Sequence, residues 1–320
     1  MVRGSFNRFP LHARRALLGA GLALIVRCAW AQGPTPETGN TIFPGGGLLS
    51  YGADFVSRRS PAGVNSIPPT IRPTLEVGQP VVLAWGIRRD VELVAMTSIE
   101  TDHLDLPSSA PPIRVGGSGL GDSWVLLKYR FLRLDSERGT TQASLTFGPK
   151  LPTGRTDLRD SSGALLPATL QPGSGSTDLF LDFSGTYTGL FRVEKLVADT
   201  TVSYWLRTEG VERTRLGNEL DWRLYLPYRP YQSHRVGPEW WIGPSLTWQH
   251  FGYDRIAGVQ QADSGGAVLN LGGATYFSPH PGLELWFGVE FAVAQQMNGI
   301  QDRMRRHISV GISKQFQLRH

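Results

Sequence analysis

The chain is almost without cysteine. Among 320 residues there is one, Cys28, so no disulfide and no thiolate metal centre can be built within it. It also lacks any run of about 18 consecutive apolar residues, which excludes a transmembrane helix. Net charge is missing once the chain is divided. Five of the 32 Lys and Arg (Arg3, Arg8, Arg14, Arg15, Arg27) lie in the first 31 residues, which hold none of the 27 Asp and Glu. The other 289 residues balance at 27 bases against 27 acids. A nucleic-acid partner would need a basic stripe on the folded part, so none is expected. Metal and catalytic patterns are absent as well. His103, His234, His250, His280, His307 and His320 show no His-x-x-x-His spacing, and a zinc site of that type needs one. No nucleophile elbow is present. No metal, cofactor or enzymatic activity is expected, although a hydrolase triad is defined in space and stays open as the remotest reading.

What is present begins with an export signal. A basic stretch precedes an 11-residue apolar core, Ala16–Val26, and Ala29-Trp30-Ala31 supplies small residues for cleavage before Gln32. Eleven apolar residues are too few to span a bilayer, which takes roughly 20 in a helix. Cys28 falls inside this segment behind Arg27, where a lipoprotein signal needs a small residue. The domain organisation is therefore a signal peptide over 1–31 and a polar, Gly- and Pro-rich periplasmic leader over 32–47. A barrel over 48–316 and a short tail over 317–320 follow.

The barrel is read from alternation. In Leu283–Val293, six apolar side chains fall on one face of a strand. Glu284, Trp286, Gly288, Glu290 and Ala292 fall on the other, because strand side chains alternate. About a dozen segments repeat this pattern, beginning near Leu49, Val81, Val91, Val125, Ala143, Leu179, Leu196, Glu219, Trp240, Leu269, Leu283 and Ile308. Segments of this length and periodicity, behind a signal peptide, specify an all-β transmembrane antiparallel barrel of about 12 strands. Links after the second, fourth, sixth and tenth segments are short; those after the first, third and fifth (57–80, 100–123, 152–178) are long. Short periplasmic turns and long outer loops then put both termini in the periplasm of a Gram-negative cell. Tyr187, Tyr225, Tyr228, Trp240, Trp241, Tyr276 and Phe277 gather near segment ends, as interfacial girdles do.

The same parity turns ten charges inward: Lys128, Arg130, Lys150, Asp182, Asp199, Glu219, Asp221, Arg223, Glu284 and Glu290. Such residues either set selectivity or pair with one another and hold the lumen closed. Gly116–Asp122 is glycine-rich, but a phosphate-cradling loop needs a following helix. An expected strand follows instead, so a flexible loop is the expectation.

Ser118-Gly-Leu-Gly-Asp122 followed by Lys128-Tyr-Arg-Phe131, then Lys150-Leu-Pro-Thr-Gly154, resembles the corresponding segments of the MetA-pathway of phenol degradation family. Trp85-Gly-Ile-Arg-Arg-Asp90 is similar to a third, looser motif. The resemblance spans roughly residues 80 to 316. It implies an outer-membrane barrel of transporter type and brings no catalytic residues. The chain's end, Ser309-x-Gly311-x-x-Lys314-x-Phe316, also resembles a barrel-assembly signal, with Lys314 where an apolar residue is usual.

The expected function is passage or binding of small hydrophobic or aromatic molecules across the outer membrane. A structural or surface-interaction barrel with a blocked lumen is the rival reading. Expected partners are membrane lipid and lipopolysaccharide, the barrel-assembly machinery and an unspecified solute. Processing is expected at Ala31–Gln32. Intact-mass measurement of membrane-extracted protein should show loss of 31 residues, and a mature chain that keeps Cys28 would refute it.

Overall fold

The computed structural model describes residues 38–59, 73–106, 113–137, 139–160, 162–232 and 238–317. The expected signal peptide lies outside them. So do His234, His320 and most of the first outer link.

Twelve antiparallel strands close into a barrel. They are β1 Gly46–Arg59, β2 Leu75–Arg88, β3 Val91–Leu106, β4 in two parts (Ile113–Leu120 and Ser123–Ser136), β5 Gly139–Leu151 and β6 Asp178–Thr188. Then come β7 Val197–Leu206, β8 Glu219–Tyr225, β9 Glu239–Phe251, β10 Gly266–His280, β11 Leu283–Met297 and β12 Arg303–Gln317. Each pairs with the next in sequence, and β12 returns to β1 from Gly46↔Gln317 to Arg59↔Arg303. All twelve segments expected from alternation fall on these strands, in order. The start of β1 and the end of β12 lie together at the end of the barrel with the short turns. Among the described residues no helix is long and apolar enough to cross a membrane.

The alternation produces the two faces directly. Along β1, Leu49, Tyr51 and Phe55 stand exposed outside, while Leu48, Ser50, Gly52, Asp54 and Val56 are buried inside. Leu83, Phe147, Leu181, Leu271, Phe287 and Val310 continue the outer belt on other strands. An apolar surface this continuous is an interaction surface, of the kind a transmembrane barrel turns to hydrocarbon.

The structure departs from the sequence reading first in the links. The third link is mostly strand: β3 runs to Leu106, and the first part of β4 pairs with it from Ile99↔Leu120 to Leu106↔Ile113. The glycine-rich tract is therefore paired sheet up to Leu120, not a flexible loop. Its outward pair, Thr101 and Ser118, share a hydrogen bond of 2.8 Å. Thr101 and Ser118 break the outward apolar series here, while Leu104 turns inward, so the alternation that marks the other strands does not reveal the hairpin. In the link after β8, Tyr228–Gln232 forms a short extra strand on β9. In the links after β7 and β9, Thr214–Arg215, Arg255–Ile256 and Val259–Gln260 join in a small outer sheet.

The leader, expected to be periplasmic, is in its described part a strap inside the lumen. Gly39 N–H donates to Thr186 Oγ1 at 3.0 Å and Ile42 N–H to Glu92 Oε2 at 3.0 Å. Asn40 bonds Gln142, and Thr41 Oγ1 donates to the carbonyl of Arg89. Ile42 also joins an apolar cluster formed by Leu48, Val82, Ala84, Val94, Trp124, Leu126 and Trp205. Trp124 and Trp205 meet edge-to-face with ring centroids 4.4 Å apart. The strap holds because its polar backbone finds wall partners while Ile42 finds apolar ones.

Leu271, mid-way along β10 and 48% exposed, tests the lipid-facing surface. Leu271→Arg should cost about 2–4 kcal/mol in refolding titrations into lipid vesicles, the range for a cation near the bilayer midplane. An unchanged titration would mean that this face does not meet hydrocarbon.

Candidate functional site

The lumen is the candidate site. At its outer end the inward charges are paired. Lys150 Nζ lies 2.7 Å from Asp122 Oδ2 and 2.9 Å from Asp178 Oδ2, and it also bonds Ser174. Arg207 bridges Asp178 at 3.3 Å and Glu219 at 3.0 Å. Asp122 additionally accepts the backbone N–H groups of Gly154 and Ser174, each at 3.0 Å. Asp122 and Lys150 with Gly154 belong to two different motif segments, and the ion pair ties them together beneath the outer loop 152–177. Gly154 packs backbone to backbone there: an added Cβ would lie 2.5 Å from Gly173 Cα. Above it, Leu158, Leu166 and Leu170 pack with Leu104 of β3, which seats the loop as a roof.

Deeper in, Glu92 stands opposite Lys128 on β3 and β4, and Lys128 opposite Thr146. The row continues through Asp182, Ser203, Asp221 and Gln249. Lys128 and Asp221 are fully buried. The charges of Glu92, Asp182 and Asp199 all act on Lys128. A buried ion without such company would cost several kcal/mol. At the periplasmic end Arg130 binds Asp90 at 2.6 Å, Gln142 at 2.8 Å and the carbonyl of Arg89 at 2.9 Å.

Two cavities lie within the lumen of the described residues. An outer cavity of about 320 Å³ lies under the roof, lined among others by Glu76, Glu100, Asp102, Lys150, Arg207 and Glu219. An inner cavity of about 280 Å³ lies toward the short-turn end, bounded by the strap residues Thr38 and Asn40. Glu290 and His307 line both and face each other across β11 and β12. They form a neck. Glu290 accepts hydrogen bonds from Ser245 at 2.8 Å and Thr247 at 2.7 Å, with Arg223 beside it. His307 Nε2 lies 3.1 Å from Asp54 Oδ1.

The inner cavity has aromatic walls. Trp241, Tyr276 and Trp286 form one cross-strand row on β9, β10 and β11. Tyr225 joins them, its ring centroid 5.6 Å from that of Tyr276. Trp286 is 5% exposed, and its ring lies across Gly311 and Gly52. A Cβ at Gly311 would sit 2.1 Å from that ring and one at Gly52 3.1 Å. Tyr225, Trp241 and Tyr276 were expected in an interfacial girdle; they line the cavity instead, because inner and outer positions alternate up to the strand ends. Tyr228, Trp240 and Phe277 are exposed outside.

The structure places all ten inward candidates on the inner side of the wall. Lys150 and Glu219 gather at the outer cavity, Asp199, Arg223 and Glu284 at the inner one, and Glu290 at the neck. Lys128, Asp182 and Asp221 lie in the buried row, and Arg130 at the periplasmic turn. Sequence reasoning missed Glu92, Asp178 and His307. Parity alone would have found Glu92. Asp178 and His307 each lie one residue before an expected strand.

A family model described as "Putative MetA-pathway of phenol degradation" matches residues 37–305. Among solved structures the chain is similar to the COG4313 outer membrane channel from Pseudomonas putida F1. They are 13% identical over 89% of this chain and 100% of that one, with a TM-score of 0.58. It is also similar to the NanC porin (10% identity, 83% and 98% covered, TM-score 0.46). The TodX monoaromatic hydrocarbon channel is a third (11%, 89% and 93%, 0.44). At these identities the likeness is one of fold. No curated protein matches in sequence.

Lys150 is the test of the outer network. Lys150→Met removes the cation and leaves the Asp122 and Asp178 carboxylates facing each other, which should destabilise the barrel by about 3–5 kcal/mol. Urea unfolding in detergent micelles reads the loss. Lys150→Met combined with Asp122→Asn should recover part of it, and additive losses would show that the pair does not interact.

Proposed function

We propose a transport function from one premise: this chain belongs to the MetA-pathway of phenol degradation family. The protein is an outer-membrane barrel through which small hydrophobic or aromatic molecules pass. The observation that carries this reading is the pair of cavities meeting at a single neck inside a closed wall. The aromatic row Trp241–Tyr276–Trp286 on the inner side gives apolar rings a surface to slide against. The neck's charges are held by Ser245, Thr247, Asp54 and Arg223, so a solute does not have to break an isolated ion pair to pass.

The other parts take supporting roles in this reading. Export is through the signal peptide over 1–31. The outer belt meets lipid and, in the outer leaflet, lipopolysaccharide, and β12 with Phe316 is what the assembly machinery engages. No catalytic role is assigned to any residue. The rival, a structural barrel with a blocked lumen, is favoured by the strap and by the paired charges; the same experiment separates the two.

A barrel of about 12 strands lies between filled 8-stranded barrels and water-filled 16-stranded porins. Single-channel conductance in planar bilayers should therefore be low. Arg223→Glu puts a second carboxylate beside Glu290 and should raise it several-fold by loosening the neck. Vesicles carrying the protein should take up benzyl alcohol faster than protein-free vesicles. Porin-like conductance that ignores Arg223→Glu would show an open channel. No uptake above the protein-free rate would leave the blocked-lumen reading.

A further inference from the structure

The inner cavity is small: about 280 Å³, just under the roughly 300–1,000 Å³ of pockets for drug-sized ligands. Three acids line it, Asp199, Glu284 and Glu290, against two bases, Arg223 and His307. Both bases are engaged. Arg223 and His307 act on Glu290, and His307 is also bonded to Asp54. Asp199 accepts a hydrogen bond of 2.6 Å from Thr186 and feels the charge of Lys128. Glu284 differs. The charge acting on it is that of Glu239, another carboxylate, and Glu239 is already tied to Arg229 at 2.8 Å. Among the described residues Glu284 Oε1 is buried without a hydrogen-bond partner.

The walls around Glu284 suit a positive charge. Trp286 follows it by two residues on the same face of β11, and Tyr276 pairs directly with Trp286. Ring faces carry negative potential and attract ammonium and guanidinium groups, most strongly where water is excluded. Trp241 already shows this behaviour, with the Arg229 guanidinium 4.8 Å from its ring centroid.

We propose that the inner cavity is a binding site for a small organic cation, an aromatic or alkyl ammonium, with Glu284 as its counter-ion and Trp286, Tyr276, Tyr225 and Trp241 as its walls. The site rests on the transport reading above and names a solute class for it. A neutral aromatic would fill the same volume but leave the Glu284 carboxylate uncompensated. A carboxylate ligand would add to the excess of acid. An ammonium group satisfies Glu284 by a charge-assisted hydrogen bond and offers its charge to the rings at once.

The probes are benzylammonium, benzyl alcohol and benzoate, which share a ring and differ in the charge of the attached group. Mature full-length protein in detergent micelles is titrated with each by calorimetry and tryptophan fluorescence. Benzylammonium should bind saturably, benzyl alcohol at least tenfold more weakly, and benzoate more weakly still. Glu284→Gln should weaken benzylammonium at least tenfold and leave benzyl alcohol unchanged. Glu194→Gln, on an exposed periplasmic turn, should change neither. Equal affinity for benzylammonium and benzyl alcohol overturns the proposal, as does unchanged benzylammonium binding in folded Glu284→Gln. The wild-type comparison decides the matter even where that variant does not fold. If vesicle uptake fails while ammonium-selective binding holds, the transport reading falls and the site stands. If uptake holds without ammonium preference, the site alone falls.

Discussion

Hydrocarbon offers no hydrogen-bond partner to a peptide group. Every N–H and C=O in the wall must therefore be paired within the wall, and the pairing of β12 with β1 is the step that leaves no open edge. The interior follows from that closure. A ring of twelve strands is wide enough to hold charged side chains and too narrow to hydrate each of them freely. Lys150, Arg207, Asp122, Asp178 and Glu219 consequently share partners at one end. Lys128 sits among three acids in the middle.

The interior is unevenly used. On the β1–β7 side, Val82, Val94, Leu126, Trp124 and Trp205 fill the space as a packed core, and Ile42 of the strap completes it. The β8–β12 side sets small residues, Ser245, Gly273, Ala274, Gly288 and Ser309, among its aromatic ones, and there the inner cavity remains. The rigid half gives the strap a fixed seat. The hollow half holds the aromatic row and the neck. A barrel of uniform polar lining would do neither.

The wall was legible in the sequence because lipid demands an apolar side chain at every outward position. Parity then gave the inward direction of Lys128, Asp221, Glu284 and Glu290 without any knowledge of contacts. The β3–β4 hairpin was not legible, since Thr101 and Ser118 interrupt its outward face and its second arm runs through the glycine-rich tract. Partners were not legible either. Asp54 and His307 are 253 positions apart in sequence, and only the register at the seam brings them together. The apolar inner residues Trp124, Trp205 and Trp286 also run against the polar-inside rule, which assumes a water-filled lumen. The strap could not be read at all, because Thr38 to Phe43 has no periodicity and takes its form from the wall around it.

Gly311 and Gly52 are directly paired across the β12–β1 seam, and Trp286 rests on both. Its seat is thus made half from the last strand of the chain and half from the first. A nascent sheet that has formed β2 to β11 already contains Trp241, Tyr276 and Trp286, but it has no floor for the indole. The aromatic chamber comes into being only when the ends of the chain meet. Until then Trp286 faces whatever fills the unclosed curl. Completion of the barrel and completion of its inner chamber are therefore one event, registered at a single indole ring.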